Sequence, residues 1–338
     1  MIFPILNGLL GFRKSPVTWA VVLLNLLVLI YTTNMGVESQ ERLDELMKKK
    51  FFVTAQGRIY AQYLEDHSQG EYPDFIRELG RQVREGESER VEMLGQLAFR
   101  DFNFMHDADQ MEIEGDRVAA KIWRQRVQDL LQLQDDHPSF IFGLNAQDTS
   151  FSKWLTYIFV HSGWFHFLGN MVFLLIFGGA LEVQIGGLGF LVVFLLSGTF
   201  AAGVFSLMTG VTSSPLVGAS GAISGIMTLY CVLNWRRAER YFYWLFLPFR
   251  GFMGFVYLPA WVAMVLWGIN DIAGYLGNMP ELGGVAHTAH LGGELAGLMT
   301  GLILFSMRKF RPVKMPPVIP RKMGVLIPFL PPTHKRAG

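Results

Sequence analysis

The stretch VQIGGLGFLVVFLLSGTFAAGVFSLMTGVTSSPLVGASGAISGIMTLYCVLNW, residues 183–235, contains no Asp, Glu, Lys or Arg. An α-helix needs about 20 apolar residues to cross a bilayer, so this 53-residue run is long enough for two such helices. Residues 209–215, TGVTSSP, have the composition of a turn. We therefore predict membrane-spanning helices at about 190–207 and 216–233.

Apolar segments of similar length lie on both sides of this run. With it they predict six membrane-spanning helices, the other four at about 17–33, 164–181, 255–275 and 285–307. Only 17% of all residues are charged, against about 25% in ordinary soluble domains. The chain is therefore expected to be an all-α membrane protein, a bundle of six transmembrane helices embedded in the lipid bilayer.

A soluble segment follows the first predicted helix. Residues 34–150 hold 14 Lys and Arg against 23 Asp and Glu, whereas the rest of the chain holds 15 against 5. Apolar residues recur there at helical spacing. The pattern includes Val118, Ile122, Val127, Leu130 and Leu131. We predict an inserted, acidic helical domain.

The predicted organisation has four parts. Residues 1–35 hold an N-terminal segment and the first transmembrane helix, 36–150 the acidic helical extracytoplasmic insert and a connector, 151–307 the core with helices two to six, and 308–338 a basic cytoplasmic tail. Two roles stay open for the insert: a charged, solvated cap, or recognition of an extracytoplasmic partner by residues 36–137.

Lys and Arg favour one side of the predicted bundle. Arg13 and Lys14, four Arg within 236–250 and eight basic residues beyond Met307 lie on the side of both termini, whereas the loops 208–216 and 276–285 hold none. Cytoplasmic loops of membrane proteins carry the excess of basic residues. Both termini are therefore expected in the cytoplasm, with the tail along anionic lipid.

The cysteine count and the net charge exclude several kinds of site. The single cysteine, Cys231, lies in an apolar run, so neither an intrachain disulfide nor a cysteine-based metal site is possible. The net charge of +1 leaves no basic stripe of the kind that nucleic acid requires. We expect no nucleic-acid partner.

Polar side chains within or beside the apolar segments are the candidates for function, because ionisable groups at membrane depth are costly. They are His161, His166, Asn170, Ser220, His287, His290 and Glu294. With the predicted orientation, those on the second, fourth and sixth helices lie at comparable depth in the outer half of the bilayer.

Glycine spacing links Ser220 to His290. Gly221 and Gly225 share one helical face, and glycines repeat at the same spacing over 293–301. Small residues at this spacing let helices approach closely. If the two faces meet, the serine hydroxyl and the imidazole form a nucleophile and base pair. The alternative is that Ser220 is only a small packing residue.

His166 and Asn170 are four residues apart and point the same way on a helix. Together with the backbone N–H of Ser220 they could stabilise an oxyanion in acyl transfer. The alternative is a hydrogen-bonded pair between helices. His161 is placed at the membrane edge, where it could bond to loop carbonyls.

Three motifs resemble the signature of rhomboid intramembrane serine proteases of the bacterial type. They are His161-x4-His166-x3-Asn170 before the second helix, Gly218-Ala219-Ser220-Gly221 at the fourth, and Ala289-His290-Leu291-Gly292-Gly293 in the sixth. They occur in the family's order and on the expected helices. The resemblance covers about residues 150–307 and the first helix.

The resemblance implies a six-helix core with a Ser220 and His290 dyad that lacks an acid, and an oxyanion hole formed by His166, Asn170 and the Ser220 N–H. His161, Gly218 and Glu294 are candidate auxiliary residues, since Glu294 lies one turn from His290 and could orient its ring. The substrates implied are transmembrane segments of other proteins, which enter near the fifth helix. Neither a metal nor a cofactor is expected, and the expected location is a bacterial inner membrane.

The chain departs from the family pattern in three places. Ser152-Lys153 stands where many members carry Trp-Arg, Ser224 stands where some carry an aromatic ring beneath the base, and the insert is far longer than in the minimal bacterial form. Two other functions are compatible with the sequence: a non-catalytic relative that binds membrane proteins, and a metalloenzyme or metal transporter using the four candidate histidines and Glu294.

Overall fold

The computed structural model describes residues 2–4, 12–67, 72, 74–99, 101–108, 110–145, 150–208, 214–244, 253–276 and 286–307. The predicted tail 308–338 and most of the predicted turn 209–215 lie outside the described residues.

Three described helices are long and apolar enough to cross a membrane: Pro16–Leu46, Trp164–Met208 and His287–Ser306. Ser220–Leu233 and Trp261–Leu276 are shorter apolar helices. Large apolar side chains lie on the outside of the protein along these helices, which is expected where lipid is the solvent.

The first helix, α1 (Pro16–Lys48), passes the predicted boundary at residue 35 without a break. Its first backbone N–H groups have no partner within the helix. The buried carboxylate of Glu182 accepts hydrogen bonds from Val17 N at 2.9 Å and from Thr18 N and Oγ1 at 2.7 Å each. A carboxylate at a helix N-terminus also interacts favourably with the positive end of the helix dipole.

The inserted segment is helical and has a hydrophobic core of its own. Its helices are α2 (Lys50–Asp66), α3 (Asp74–Arg84), α4 (Val91–Ala98), α5 (Phe102–Asp107) and α6 (Arg117–Asp135). The described residues of the inserted segment are therefore mainly helical.

Helix α6 buries only part of the apolar pattern seen in the sequence. Val118 and Ile122 are exposed, whereas Val127 and Leu130 are buried. The buried stripe also includes Ala120 and Trp123, and its members recur every three or four residues. The exposed apolar side chains of Val118 and Ile122 obscure this period in the sequence.

The chain returns to the apolar core through α7 (Pro138–Phe142) and α8 (Lys153–Thr156). Helix α9 (Trp164–Phe173), a π-helical turn over Leu174–Gly178 and α10 (Gly179–Met208) follow. Gly186 breaks α10 with φ 79° and ψ 161°. This break separates the segments 164–181 and 190–207, which the sequence predicted as two helices.

Helix α11 (Ser220–Leu233) is followed by two strands, β2 (Ala238–Trp244) and β3 (Met253–Pro259). With β1 (Ile2–Pro4) they form an antiparallel sheet in the order β1-β2-β3. The remaining helices are α12 (Trp261–Leu276) and α13 (His287–Ser306).

The sheet is an addition to the predicted all-α fold, and it corrects the start of the fifth helix. Residues 255–259 pair with β2, in a register that sets Tyr241 against Val256. Aromatic and β-branched residues favour strands, and mean hydropathy does not distinguish such a strand from the end of an apolar helix.

Helices α11 and α13 touch through their backbones. A Cβ on Gly293 would overlap the carbonyl oxygen of Gly221, and one on Gly297 would overlap that of Gly225. The two glycine faces identified in the sequence therefore do meet. Because glycine has no side chain, the helix axes come closer than other residues would allow.

We predict that Gly297→Ala lowers the stability of the protein, because the added methyl group forces α11 and α13 apart. Overpacking of this kind typically costs about 1–3 kcal/mol. Thermal unfolding of the detergent-purified chain measures the effect. Gly169→Ala is the matched control, because a Cβ at Gly169 would meet nothing within 4 Å. Equal melting temperatures for the two variants would contradict this account of the helix contact.

Candidate active site

Ser220 is the first residue of α11 and is half-buried. The N–H groups of a first helical turn have no partner within the helix and point at the space before it. The loop before Ser220 is held on both sides. Gly218 N donates to Tyr157 O at 2.9 Å, and Leu216 exchanges two backbone hydrogen bonds with Leu144, at the end of the insert's connector.

Gly218 leaves the space that His166 occupies. Its φ is +115°, in the region that favours glycine, and a Cβ there would lie 2.7 Å from Cε1 and 2.8 Å from Nε2 of His166. Asn170 Nδ2 would lie 3.8 Å from the same Cβ. The structure therefore brings His166 and Asn170 against the loop that leads into Ser220.

Hydrogen bonds orient this pair. His166 Nδ1 lies 3.0 Å from Ser162 Oγ. Where Ser162 donates its hydroxyl hydrogen, His166 carries its own hydrogen on Nε2, on the side of Gly218. Asn170 Nδ2 donates one hydrogen to His166 O at 3.0 Å, and its second hydrogen stays available. Two donors thus converge near the start of α11.

His161 lies beside this pair and is buried. Its Nδ1 donates to Phe159 O at 3.3 Å, and its ring contacts that of His166 edge to face. Burial lowers the pKa of His161 to about 4. A neutral ring bonded to a loop carbonyl supports the wall of the site.

Helix α13 brings its first turn, which contains His290, against the start of α11. The backbone carbonyl of Ala289, the neighbour of His290, would lie 3.3 Å from a Cβ on Gly221, the residue after Ser220. In the described part of the chain, no hydrogen bond joins Ser220 to His290. Bonds between a nucleophile and its base are often long in unliganded enzymes and shorten when substrate binds.

The ring of His290 is hydrogen-bonded to a residue that is not among the candidates named from the sequence. Nδ1 of His290 donates to Oδ1 of Asp271, on α12, at 3.0 Å. Nδ1 of His287 donates to the same oxygen at 2.7 Å. The signal was present in the sequence, because Asp271 is the one charged residue between Arg250 and Glu281.

Two further side chains complete the surroundings of His290. Trp267 on α12 lies with its ring centroid 5.7 Å from that of His290. Helix α12 thus supplies an aromatic neighbour that Ser224 on α11 does not. Glu294 packs over Gly268, with Oε2 2.9 Å from where a Cβ would be, and among the described side chains none bonds to its Oε1.

The atoms of Asp271, His287 and His290 lie within 4.8 Å of one another, close enough to share a metal ion. Two imidazoles and a carboxylate are a donor set that suits zinc. This set differs from the metal ligands that the sequence suggests, since it includes Asp271 and leaves out His161, His166 and Glu294. Both Nδ1 atoms bond to the carboxylate of Asp271, so these hydrogen bonds are sufficient to explain why the three side chains lie together.

Comparison with protein families gives a match to the rhomboid domain over residues 148–307. Residues 148–307 belong to the rhomboid family. The family is one of intramembrane proteases, so the rhomboid domain and the apolar helices together indicate an integral membrane protein. No curated protein sequence matches the chain.

We predict that Gly218→Ala slows the reaction of Ser220 with a fluorophosphonate by at least about 10-fold, because the methyl group displaces His166, which the sequence predicts to be an oxyanion donor. The rate of probe labelling measures the effect. Gly115→Ala separates displacement from backbone strain, because Gly115 has φ +103° and open space around it, in the insert. Equal labelling rates for the two variants would remove His166 from the site.

Proposed function

We propose that this rhomboid protein is a serine endopeptidase that cleaves transmembrane or membrane-proximal segments of other membrane proteins. The observation that carries the proposal is the convergence at the start of α11. Ser220 lies there beside two hydrogen-bond donors, His166 and Asn170, and the glycine contact brings the helix of His290 against the same end.

Each of these residues has its own role in acyl transfer. Ser220 Oγ attacks the substrate carbonyl carbon while His290 Nε2 takes the hydroxyl proton. The oxyanion accepts hydrogen bonds from His166, Asn170 and the Ser220 N–H. His290 then gives its proton to the leaving amine as the peptide C–N bond breaks, and water hydrolyses the acyl-enzyme in the same way.

The length of α11 supports a reaction within the thickness of the bilayer. Its 14 residues extend about 21 Å, whereas the hydrocarbon core is about 30 Å thick. Arg236 and Arg237 follow closely and favour a cytoplasmic position for that end. Ser220 then lies below the outer surface, at a depth that membrane-spanning substrates reach and that water enters only through the site.

The proposed topology has six membrane crossings with both termini in the cytoplasm. The insert 36–150 then lies outside the cytoplasm, on the same side as Ser220, and the tail 308–338 lies inside. The connector residue Leu144 bonds to the loop before Ser220, so the insert is joined directly to the site. This placement suits a protein of a bacterial inner membrane.

We predict that a fluorophosphonate labels the full chain in detergent and that Ser220→Ala abolishes both labelling and cleavage of a transmembrane substrate. His290→Ala lowers cleavage at least about 1,000-fold, because the hydroxyl loses its base. Ser224→Ala is the matched control. Ser224 lies one turn further along α11, and its Oγ is buried without a hydrogen-bond partner among the described atoms, so we expect this variant to keep full activity.

Three outcomes would contradict the proposal. Cleavage that survives in Ser220→Ala removes the nucleophile. Cleavage that a chelator abolishes and zinc restores favours a metalloenzyme built on Asp271, His287 and His290. Substrate capture without any cleavage by the intact chain favours a binding protein.

A further inference from the structure

Asp271 is a buried charged group that a dyad of serine and histidine does not use. It lies on the apolar helix α12, and its side chain is only 1% exposed. Burial removes the water that hydrates a carboxylate, and the free-energy cost is large unless hydrogen bonds within the protein replace that water. Here two N–H groups, from His287 and His290, bond to its Oδ1, while Oδ2 is buried without a partner among the described atoms.

We infer that Asp271 is a positioning residue for His290, which would turn the family's dyad into a triad in this chain. The inference rests on the proposed function. The bond from Nδ1 of His290 to the carboxylate fixes the hydrogen on Nδ1, so Nε2 presents a lone pair. That nitrogen is the atom that takes the proton of Ser220.

The carboxylate also acts during the reaction. When Nε2 takes the serine proton, the ring of His290 becomes an imidazolium, and the negative charge of Asp271 stabilises it at 3.0 Å. The proton stays on the imidazole until the leaving amine takes it. Because Asp271 is buried, this attraction is stronger than it would be in bulk water.

His287 holds Asp271 in place. It lies three residues before His290, on the same face of α13. A Cβ on Gly274 would overlap its ring, so that glycine lets His287 pack over α12 and reach the carboxylate. With two donors on one oxygen, Asp271 cannot rotate away from His290 without breaking a second bond.

The register of α12 and α13 supports the same assignment. Gly268, Asp271 and Gly274 are three residues apart and meet Glu294, His290 and His287 respectively. Trp267 adds the ring contact to His290. The orientation of the base therefore depends on α12 remaining packed against α13.

The test compares Asp271→Asn, Asp271→Glu and the control Asn270→Ala in the full detergent-purified chain. Asn270 is the exposed neighbour of Asp271 on α12. Asparagine keeps the shape but favours the wrong tautomer of the imidazole, so we expect kcat to fall at least about 100-fold with KM little changed. Asp271→Glu regains part of kcat, His287→Ala loses less than Asp271→Asn, and Asn270→Ala matches the intact chain.

The positioning role of Asp271 can be disproved while the proposed protease function stands. If Ser220→Ala abolishes cleavage and Asp271→Asn keeps the full kcat, the protease stands and the positioning role falls. The role also falls if Asp271→Asn loses activity only in parallel with its melting temperature, with KM rising and no rescue by Asp271→Glu. Loss of activity on chelation, with zinc bound by the intact chain and not by Asp271→Asn, assigns the cluster to a metal instead.

Discussion

The backbone contact between α11 and α13 is the constraint on which the site depends. Lipid offers no hydrophobic force to drive two apolar helices together, so their association relies on close packing. Glycines at 221, 225, 293 and 297 provide this packing, because in each case a Cβ would meet the opposing backbone within 3.3 Å or overlap it. Ser220 and His290 lie next to these contacts in the chain, so the packing of the two helices sets how close the proposed nucleophile and base can come.

A second constraint follows from placing polar groups in an apolar bundle. Glu182 bonds to the first turn of α1, and Asp271 bonds to two histidines on α13. In both cases a buried carboxylate joins one helix to another through N–H donors, which is the condition under which such burial is tolerated. The same bonds position other groups: Glu182 holds the start of α1, and Asp271 holds the ring of His290.

Much of the core follows from the sequence, because apolar run length and glycine spacing are local signals. The contacts of Asp271 and β3 are not local. The sequence places Asp271 19 residues before His290, and only the antiparallel packing of α12 on α13 brings their side chains together. Residues 255–259 have the hydropathy of a membrane helix, and only pairing with β2 makes them a strand. His287 bonds to Asp271 for the same reason.

The measurement that tests the central claim most directly is an experimental structure of the full chain after reaction with a fluorophosphonate. We expect phosphorus bonded to Ser220 Oγ, a phosphonyl oxygen facing His166 and Asn170, and His290 Nε2 within about 3 Å of Ser220 Oγ. Phosphorus on another residue, or Ser220 and His290 held on faces of α11 and α13 that do not meet, would contradict it.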